Sequence, residues 1–190
     1  MKALFIDNFD FTYSLADEFE KKGCEVLVYR NDADLRVIDA AIKKFKPSLI
    51  VVSGSGSIKN SGNSSEIISA YHGKIPIFGI GVGHHCIISL FGGKMDKAPE
   101  AIFGKMPKIT HDGKTIFKKI ENPFQAGMHS LMVGSDIPYV LEVSARNEND
   151  AVMAVRHKEH FVEGVQFNPE SILTPAGSQI IDNLLGEIKK

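Results

Sequence analysis

Two histidines, a cysteine and three alternating glycines stand together in Gly79-Ile80-Gly81-Val82-Gly83-His84-His85-Cys86. His129 and Asn168-Pro169-Glu170 follow far along the chain. Imidazole, thiol and carboxylate are the groups of nucleophilic and acid–base chemistry. A glycine-x-nucleophile-x-glycine turn between strand and helix is how many hydrolases and acyl-transfer enzymes expose a strained nucleophile above a sheet. Here the central position is Gly81, so the frame of such an elbow is present and its nucleophile is absent. Glycine at that position relieves the strain a side chain would suffer. Cys86 lies five residues on, about 140° round and roughly 7 Å along if the segment is helical. It falls in the stripe Gly83, Cys86, Ile87 and Leu90, where a thiol is an inert small hydrophobe; a displaced nucleophile there would need an exposed, electropositive setting. His84 and His85 are adjacent, so they point to different sides and cannot chelate one metal as an i, i+4 pair could. With no usual ligand spacing elsewhere, neither a metal nor a cofactor is expected.

The elements that must carry these groups are legible from periodicity. Ala3 to Ile6, Glu25 to Tyr29, Leu49 to Val52 and the run before Gly81 read as buried strands. Phe11 to Lys22, Asp34 to Phe45, Glu66 to Tyr71 and the segment after Gly81 read as helices, with Gly23 as a stop signal. Such alternation implies an α/β fold with an open, mostly parallel, doubly wound sheet, flavodoxin-like in its first half. Ligand sites in such sheets lie at the carboxyl ends of the strands. Asp7-Asn8, Ser53-Gly54-Ser55-Gly56-Ser57 and the elbow all fall there. Gly54, Gly56 and the N–H of Val82 either make a tight turn or offer backbone donors to an anion or carbonyl. After Lys94 the pattern changes. Tyr139 to Ala145, Val152 to Arg156 and Val162 to Phe167 read as a small antiparallel extension of the same domain, 1-190. Thr174-Pro175 reads as the opening of a last helix with Ile181, Leu184, Leu185 and Ile188 on one face.

The 190 residues are 43% hydrophobic and 24% charged, enough for one full core. A net charge of −1 leaves no electrostatic footprint for nucleic acid. No apolar run approaches the ~20 residues of a membrane span, and Met1 to Asp7 has no secretory pattern. Two cysteines, Cys24 and Cys86, make neither a disulfide framework nor a zinc site. A cytoplasmic setting is expected.

Three separated stretches carry a resemblance: the elbow; Gly127-Met128-His129-Ser130-Leu131; and Glu163-Gly164-Val165-Gln166-Phe167-Asn168-Pro169-Glu170-Ser171-Ile172-Leu173-Thr174-Pro175. With Ile6-Asp7-Asn8-Phe9-Asp10, Arg30-Asn31-Asp32, His111-Asp112-Gly113-Lys114 and Arg156-His157-Lys158-Glu159, the ordered set resembles the class I glutamine amidotransferase family. The nearer likeness is to the small subunit of anthranilate synthase and aminodeoxychorismate synthase. The resemblance implies glutamine hydrolysis by a Cys-His-Glu triad with a backbone oxyanion hole, and delivery of ammonia to a synthase large subunit. It also implies glutamine, or another small amide, held by Gly54, Gly56, Val82, His85, Ser130 and Leu131.

The likeness breaks where the chemistry lives. Gly81 stands at the cysteine position and Asn168 at the histidine position, and an amide cannot act as a general base near neutral pH. Glu170 remains, with a hydrogen bond to Asn168 or to nearby backbone N–H groups as its expected role. His85 replaces the usual glutamine, and the prolines around Gly54 and Gly56 are absent. The segments around Asp10-Phe11-Thr12-Tyr13 and before His129 are each a residue short. In a triad enzyme, loss of the nucleophile alone costs roughly 10⁶-fold in turnover. Two readings follow. One is a glutaminase-silent partner subunit of a chorismate-using synthase. The other is an enzyme, hydrolase or metal-dependent, with a redirected site built from His84, His85, Cys86, His129 or Glu170.

Overall fold

The computed structural model of the chain describes residues 1–9 and 12–189, and of residues 99–105 it describes the backbone. Aliphatic runs and amphipathic segments alternate as β1 (Lys2–Asn8), α1 (Thr12–Lys21), β2 (Glu25–Arg30), α2 (Leu35–Phe45), β3 (Leu49–Gly54), α3 (Ser64–Tyr71), β4 (Ile77–Ile80) and α4 (Val82–Leu90). Seven strands follow: β5 (Lys94–Lys105), β6 (Lys108–His111), β7 (Phe124–Gln125), β8 (Met128–Ser135), β9 (Leu141–Asn147), β10 (Val152–His157) and β11 (Val162–Val165). The last element is α5 (Gly177–Ile188).

All these strands join one sheet, in the order β2-β1-β3-β4-β11-β10-β9-β6-β7, with β8 on β10 and β5 on β8. From β2 to β11 the neighbours run parallel. β11 then pairs antiparallel with β10, so it is the seam between the two parts. The open α/β sheet with an antiparallel extension is therefore as the sequence indicates. Val162 to Phe167, expected in the extension, instead contributes the fifth parallel strand, because β11 lies beside β4 in register Gly164↔Gly79. Tyr139, expected to begin a strand, is exposed and precedes β9.

Helices cover both faces. On one, α1 and α5 bring Leu15, Phe19, Ile180 and Leu184 onto Phe5, Val51 and Phe78. On the other, α2, α3 and α4 bring Ile38, Ile67, Cys86 and Ile87 onto Leu4, Ile50 and Val52. Strands covered on both faces have continuous apolar sequences, as β1 and β3 do. No helix among the described residues is long and apolar enough to cross a membrane.

Two local expectations change, in α4 and α5. Helix α1 is described from Thr12, and Phe11, where the helix was expected to begin, lies with Asp10 outside the described residues. Helix α4 has no single buried stripe: Val82 to Ile88 are all buried, since the helix touches β3, β4 and β11 and also β5 and β8. A Cβ on Gly83 would lie 2.0 Å from the Val52 carbonyl oxygen, so only glycine lets α4 approach β3 so closely. Helix α5 begins at Gly177 rather than Thr174. The Thr174 hydroxyl is engaged elsewhere, donating to the Asn168 carbonyl at 2.7 Å and accepting the Gly127 N–H at 3.0 Å.

A buried polar network fixes the strand ends. Asn8 Nδ2 donates to the Ser53 carbonyl at 3.1 Å. Asn8 Oδ1 accepts from Asn31 Nδ2 at 2.9 Å and from Ser64 Oγ at 2.8 Å. Asn31 Nδ2 also donates to the Asn60 carbonyl at 2.9 Å. These bonds tie the ends of β1, β2 and β3 to the start of α3 and so position the loop that follows β3.

Candidate functional site

The elbow forms as its glycines indicate. Gly81 caps α4 with φ 57° and ψ −109°, a conformation that side chains rarely adopt. Its N–H donates to the Val165 carbonyl at 3.0 Å, which anchors the turn to β11. There is a second reason for glycine that no sequence pattern carries. A Cβ at Gly81 would sit 2.4 Å from the Gly54 carbonyl oxygen. Gly54 is held in turn, with φ 130° and room for its own Cβ removed by the Phe9 carbonyl at 2.5 Å. The loop after β3 thus lays a carbonyl where a nucleophile's side chain would begin.

The expected site residues fall around two neighbouring cavities. The larger, about 440 Å³, is lined by Gly81, Val82, His85, Gly56, Ser130 and Leu131, together with Gln166. The smaller, about 260 Å³, is lined by Asn168, Glu170, Ser14 and Ile172. His129 lines both. The structure therefore brings Gly56, Val82, His85, Ser130 and Leu131 to one cavity with Gly81, and Asn168 and Glu170 to the other, with His129 lining both. Gly54 meets the site through its carbonyl.

Asn168 Nδ2 donates to Glu170 Oε1 at 2.7 Å, the first of the two roles expected of Glu170. The Asn168 backbone is fixed by its N–H to the Gly127 carbonyl at 3.0 Å and by Thr174. Ser130 Oγ donates to the Met132 carbonyl at 2.7 Å, which shapes β8 at the cavity wall. His85 is buried, and its Nε2 lies 2.8 Å from Gln166 Oε1. Burial lowers the His85 pKa, the Gln166 contact opposing, so the ring is neutral at pH 7 and Nε2 is the donor.

His84 and Cys86 line neither cavity. His84 is wholly buried against Gly164, neither ring nitrogen makes a well-aligned hydrogen bond, and burial pushes its pKa down to about 3, with the Gly164 backbone opposing. Burial pushes the Cys86 thiol up, with Ser61 and Ser65 opposing, so it stays protonated. Among the described residues no group of three or more His, Cys, Asp or Glu is placed to hold a metal.

Sequence reasoning missed two participants. Thr174 reads as a helix cap but pins Asn168 to Gly127. Gln166 was visible only as part of a motif, although a buried polar residue just past the carboxyl end of β11 is where such sheets place ligands.

Residues 4–188 match the model of the glutamine amidotransferase class-I family. The chain is 39% identical over 191 residues to an aminodeoxychorismate/anthranilate synthase component 2 of Bacillus subtilis, across 98% of this chain and 97% of that protein. It is 39% identical over 187 residues to a multifunctional tryptophan biosynthesis protein of Pichia angusta, across 96% of this chain; the chain spans 50% of that longer relative. Among solved structures, a GMP synthase subunit of Thermoplasma acidophilum shares the fold, with TM-score 0.87 over 100% of this chain and 94% of that one at 23% identity.

Proposed function

The chain belongs to the class I glutamine amidotransferase family, and from that premise we propose that it is a component 2-like subunit that does not hydrolyse glutamine. In this reading it docks on the large subunit of a chorismate-using synthase and stabilises it, and that partner uses free ammonia. The observation that carries the reading is the contact at the elbow. Position 81 has no side chain, and the Gly54 carbonyl occupies the space where one would start. Covalent catalysis by attack on the glutamine amide needs a nucleophile there and a base beside it. Instead, Asn168 donates its amide proton to Glu170. The missing groups act as a unit in triad enzymes, so what binding alone retains is small.

Exposed apolar side chains around the two cavities support the docking role. Ile172, 95% exposed, lines the smaller cavity, and Leu131, 55% exposed, lines the larger. Tyr13, 71% exposed, neighbours Ser14 of the smaller cavity. Large apolar groups left in water around a site mark an interaction surface. The redirected-enzyme reading is less well supported, because two of its candidate groups, His84 and Cys86, are sealed in the core.

The test is glutamate release from glutamine, measured with the chain alone and with a synthase large subunit, together with synthase activity on ammonium. The expected result is no glutamine-dependent activity and a synthase that is more stable with the chain than without it. Glutamine turnover in either sample would overturn the reading.

A further inference from the structure

The turn between β10 and β11 is closed by a side chain. His157, the last residue of β10, is 8% exposed. Its Nδ1 accepts the Glu159 N–H at 3.1 Å and the His160 N–H at 3.1 Å. A side-chain acceptor bonded to the main chain two residues on is how asparagine and aspartate fix a turn. Here an imidazole does it, and in one protonation state alone. A neutral ring has one acceptor nitrogen and an imidazolium has none. Two N–H donors converge on Nδ1, so the ring is neutral and its hydrogen is on Nε2.

Two more imidazoles crowd the same ring. His160 stacks on it, with centroids 4.8 Å apart and planes at 24°. His72, at the end of α3, lies 6.5 Å from His157 and 5.3 Å from His160. Phe91, at the end of α4, packs 4.7 Å from His157, and β9 sets Leu141 opposite it, so neither brings a charge. Glu159 is a carboxylate that favours a charged ring. Lys74 and Lys158 are engaged elsewhere, Lys74 Nζ on the Ala70 carbonyl at 2.9 Å and Lys158 Nζ over the Tyr139 ring at 3.4 Å. Arg156, the preceding residue, is held by Asp112, Glu142 and Glu163. Burial keeps the His157 pKa below that of a free imidazole; His160 and His72 act the same way and Glu159 opposes them. His72 is built differently. Its Nδ1 faces the Ser69 carbonyl at 3.0 Å, so that nitrogen carries the hydrogen, and a further proton goes to Nε2 with the bond intact.

We propose that His157 is a proton-operated latch: the neutral ring holds the β10–β11 turn shut, and protonation at Nδ1 releases it. The added proton turns an acceptor into a donor that faces two N–H groups, and it sets a charge beside two other imidazoles. The Glu159 and His160 amides lose their acceptor. The effect reaches past the turn, because the Phe161 carbonyl accepts the Ile77 N–H at 2.9 Å and the Val140 carbonyl accepts the Lys158 N–H at 3.0 Å. Ile77 is the first residue of β4, whose other end leads into the elbow. The latch therefore loosens the amino-terminal end of the sheet, and it does not depend on what the elbow binds or turns over.

The ¹⁵N-labelled full chain is followed by NMR from pH 7.5 to pH 5. At pH 7.5 the His157 ring is expected to show an unprotonated Nδ1 and a protonated Nε2. As pH falls below 6.5, the Glu159 and His160 amides are expected to shift together with the His157 ring. Their protection from exchange, corrected for the intrinsic rate, should fall roughly tenfold or more, as for a lost hydrogen bond of ordinary strength. The Leu4 and Phe5 amides of β1 should stay protected. His157→Asn is the deciding variant, since its Oδ1 takes the place of Nδ1 and does not titrate. It is expected to keep both turn amides protected down to pH 5. His157→Phe keeps a ring and lacks the acceptor, and should leave the turn amides exposed already at pH 7.5. A ring hydrogen on Nδ1 at pH 7.5, turn amides that do not respond to pH, the same response in His157→Asn, or loss of the β1 amides in the same step would each overturn the proposal.

Discussion

Two polar clusters lie at the same end of the sheet and are built on opposite terms. Around Asn8, the side chains of Asn31 and Ser64 and the Ser53 carbonyl all meet partners within 3.1 Å. Around the start of α4, Gln166 Nε2 has none and the His84 nitrogens make no well-aligned bond, with only the Gly164 backbone beside the ring. Each cluster is buried, so the contrast does not come from solvent. The first cluster holds backbone: it fixes where the loop after β3 runs, and through it where the Gly54 carbonyl points. The second flanks the elbow, and its groups are buried without being organised into a network. A fold can keep the frame of a site saturated while buried groups of the site itself go poorly paired.

The largest effect that tests this contrast is Asn8→Leu. It strands the Ser64 hydroxyl and the Ser53 carbonyl in the core and removes one of the two acceptors of Asn31 Nδ2, and is expected to cost about 3 kcal/mol in urea unfolding. A loss under about 1 kcal/mol would mean that the network is ornamental.

Acidification should weaken the other cluster to a similar or slightly smaller degree. Burial holds the His84 pKa at about 3 against 6.5 for a free imidazole, so the unfolded chain takes the proton first. Stability from this group is present above pH 6.5 and lost as pH falls towards 3, by about 3 kcal/mol on reaching roughly pH 4. Glu163 pulls the other way. Burial raises its pKa from 4.5 to about 7, against the opposing Arg156, so its contribution is lost as pH rises through that window. The difference between wild type and His84→Leu across pH 4 to 7.5 isolates the histidine; a flat difference would break the argument.

Gly81→Cys comes next. The positive φ and the contact with the Gly54 carbonyl should together cost about 2 kcal/mol in thermal or urea unfolding. Adding Asn168→His should restore little glutaminase activity, read as glutamate release. A Gly81→Cys variant as stable as wild type would show that the loop after β3 yields easily, and that the Asn8 network does not hold it.

The smallest expected effect sharpens the comparison most. His84→Leu at pH 7.5 removes two poorly paired nitrogens and should change stability by no more than about 1 kcal/mol in either direction. Asn8→Leu and His84→Leu are both polar-to-apolar changes in the core. If they cost the same, the two clusters are not different in kind.

The parallel half of the fold was legible because its strands are covered on both faces and so spell continuous aliphatic runs. The antiparallel half was less so. Strand β5 opens Lys94-Met95-Asp96-Lys97, and β8 alternates buried Met128 and Ser130 with exposed His129 and Leu131, patterns that resemble loops when read locally. At the site, Gly81 announced its dihedral angles through the glycine spacing. The Gly54 carbonyl beside it, and the His85–Gln166 pair 81 residues apart, are contacts between distant segments that no local pattern encodes. Thr174 misled for a related reason: a threonine before proline has the type of a helix cap, and only the fold shows that its hydroxyl is committed to Gly127 and Asn168.

The placement of the Gly54 carbonyl bears on how changes at the elbow combine. A side chain introduced at position 81 would meet the Gly54 carbonyl oxygen, and the loop, itself close against Phe9, would have to shift in the same step. The contact therefore couples two segments far apart in the chain. Changes at position 81 and in the loop after β3 are expected to be non-additive, so the effect of either depends on which was made first.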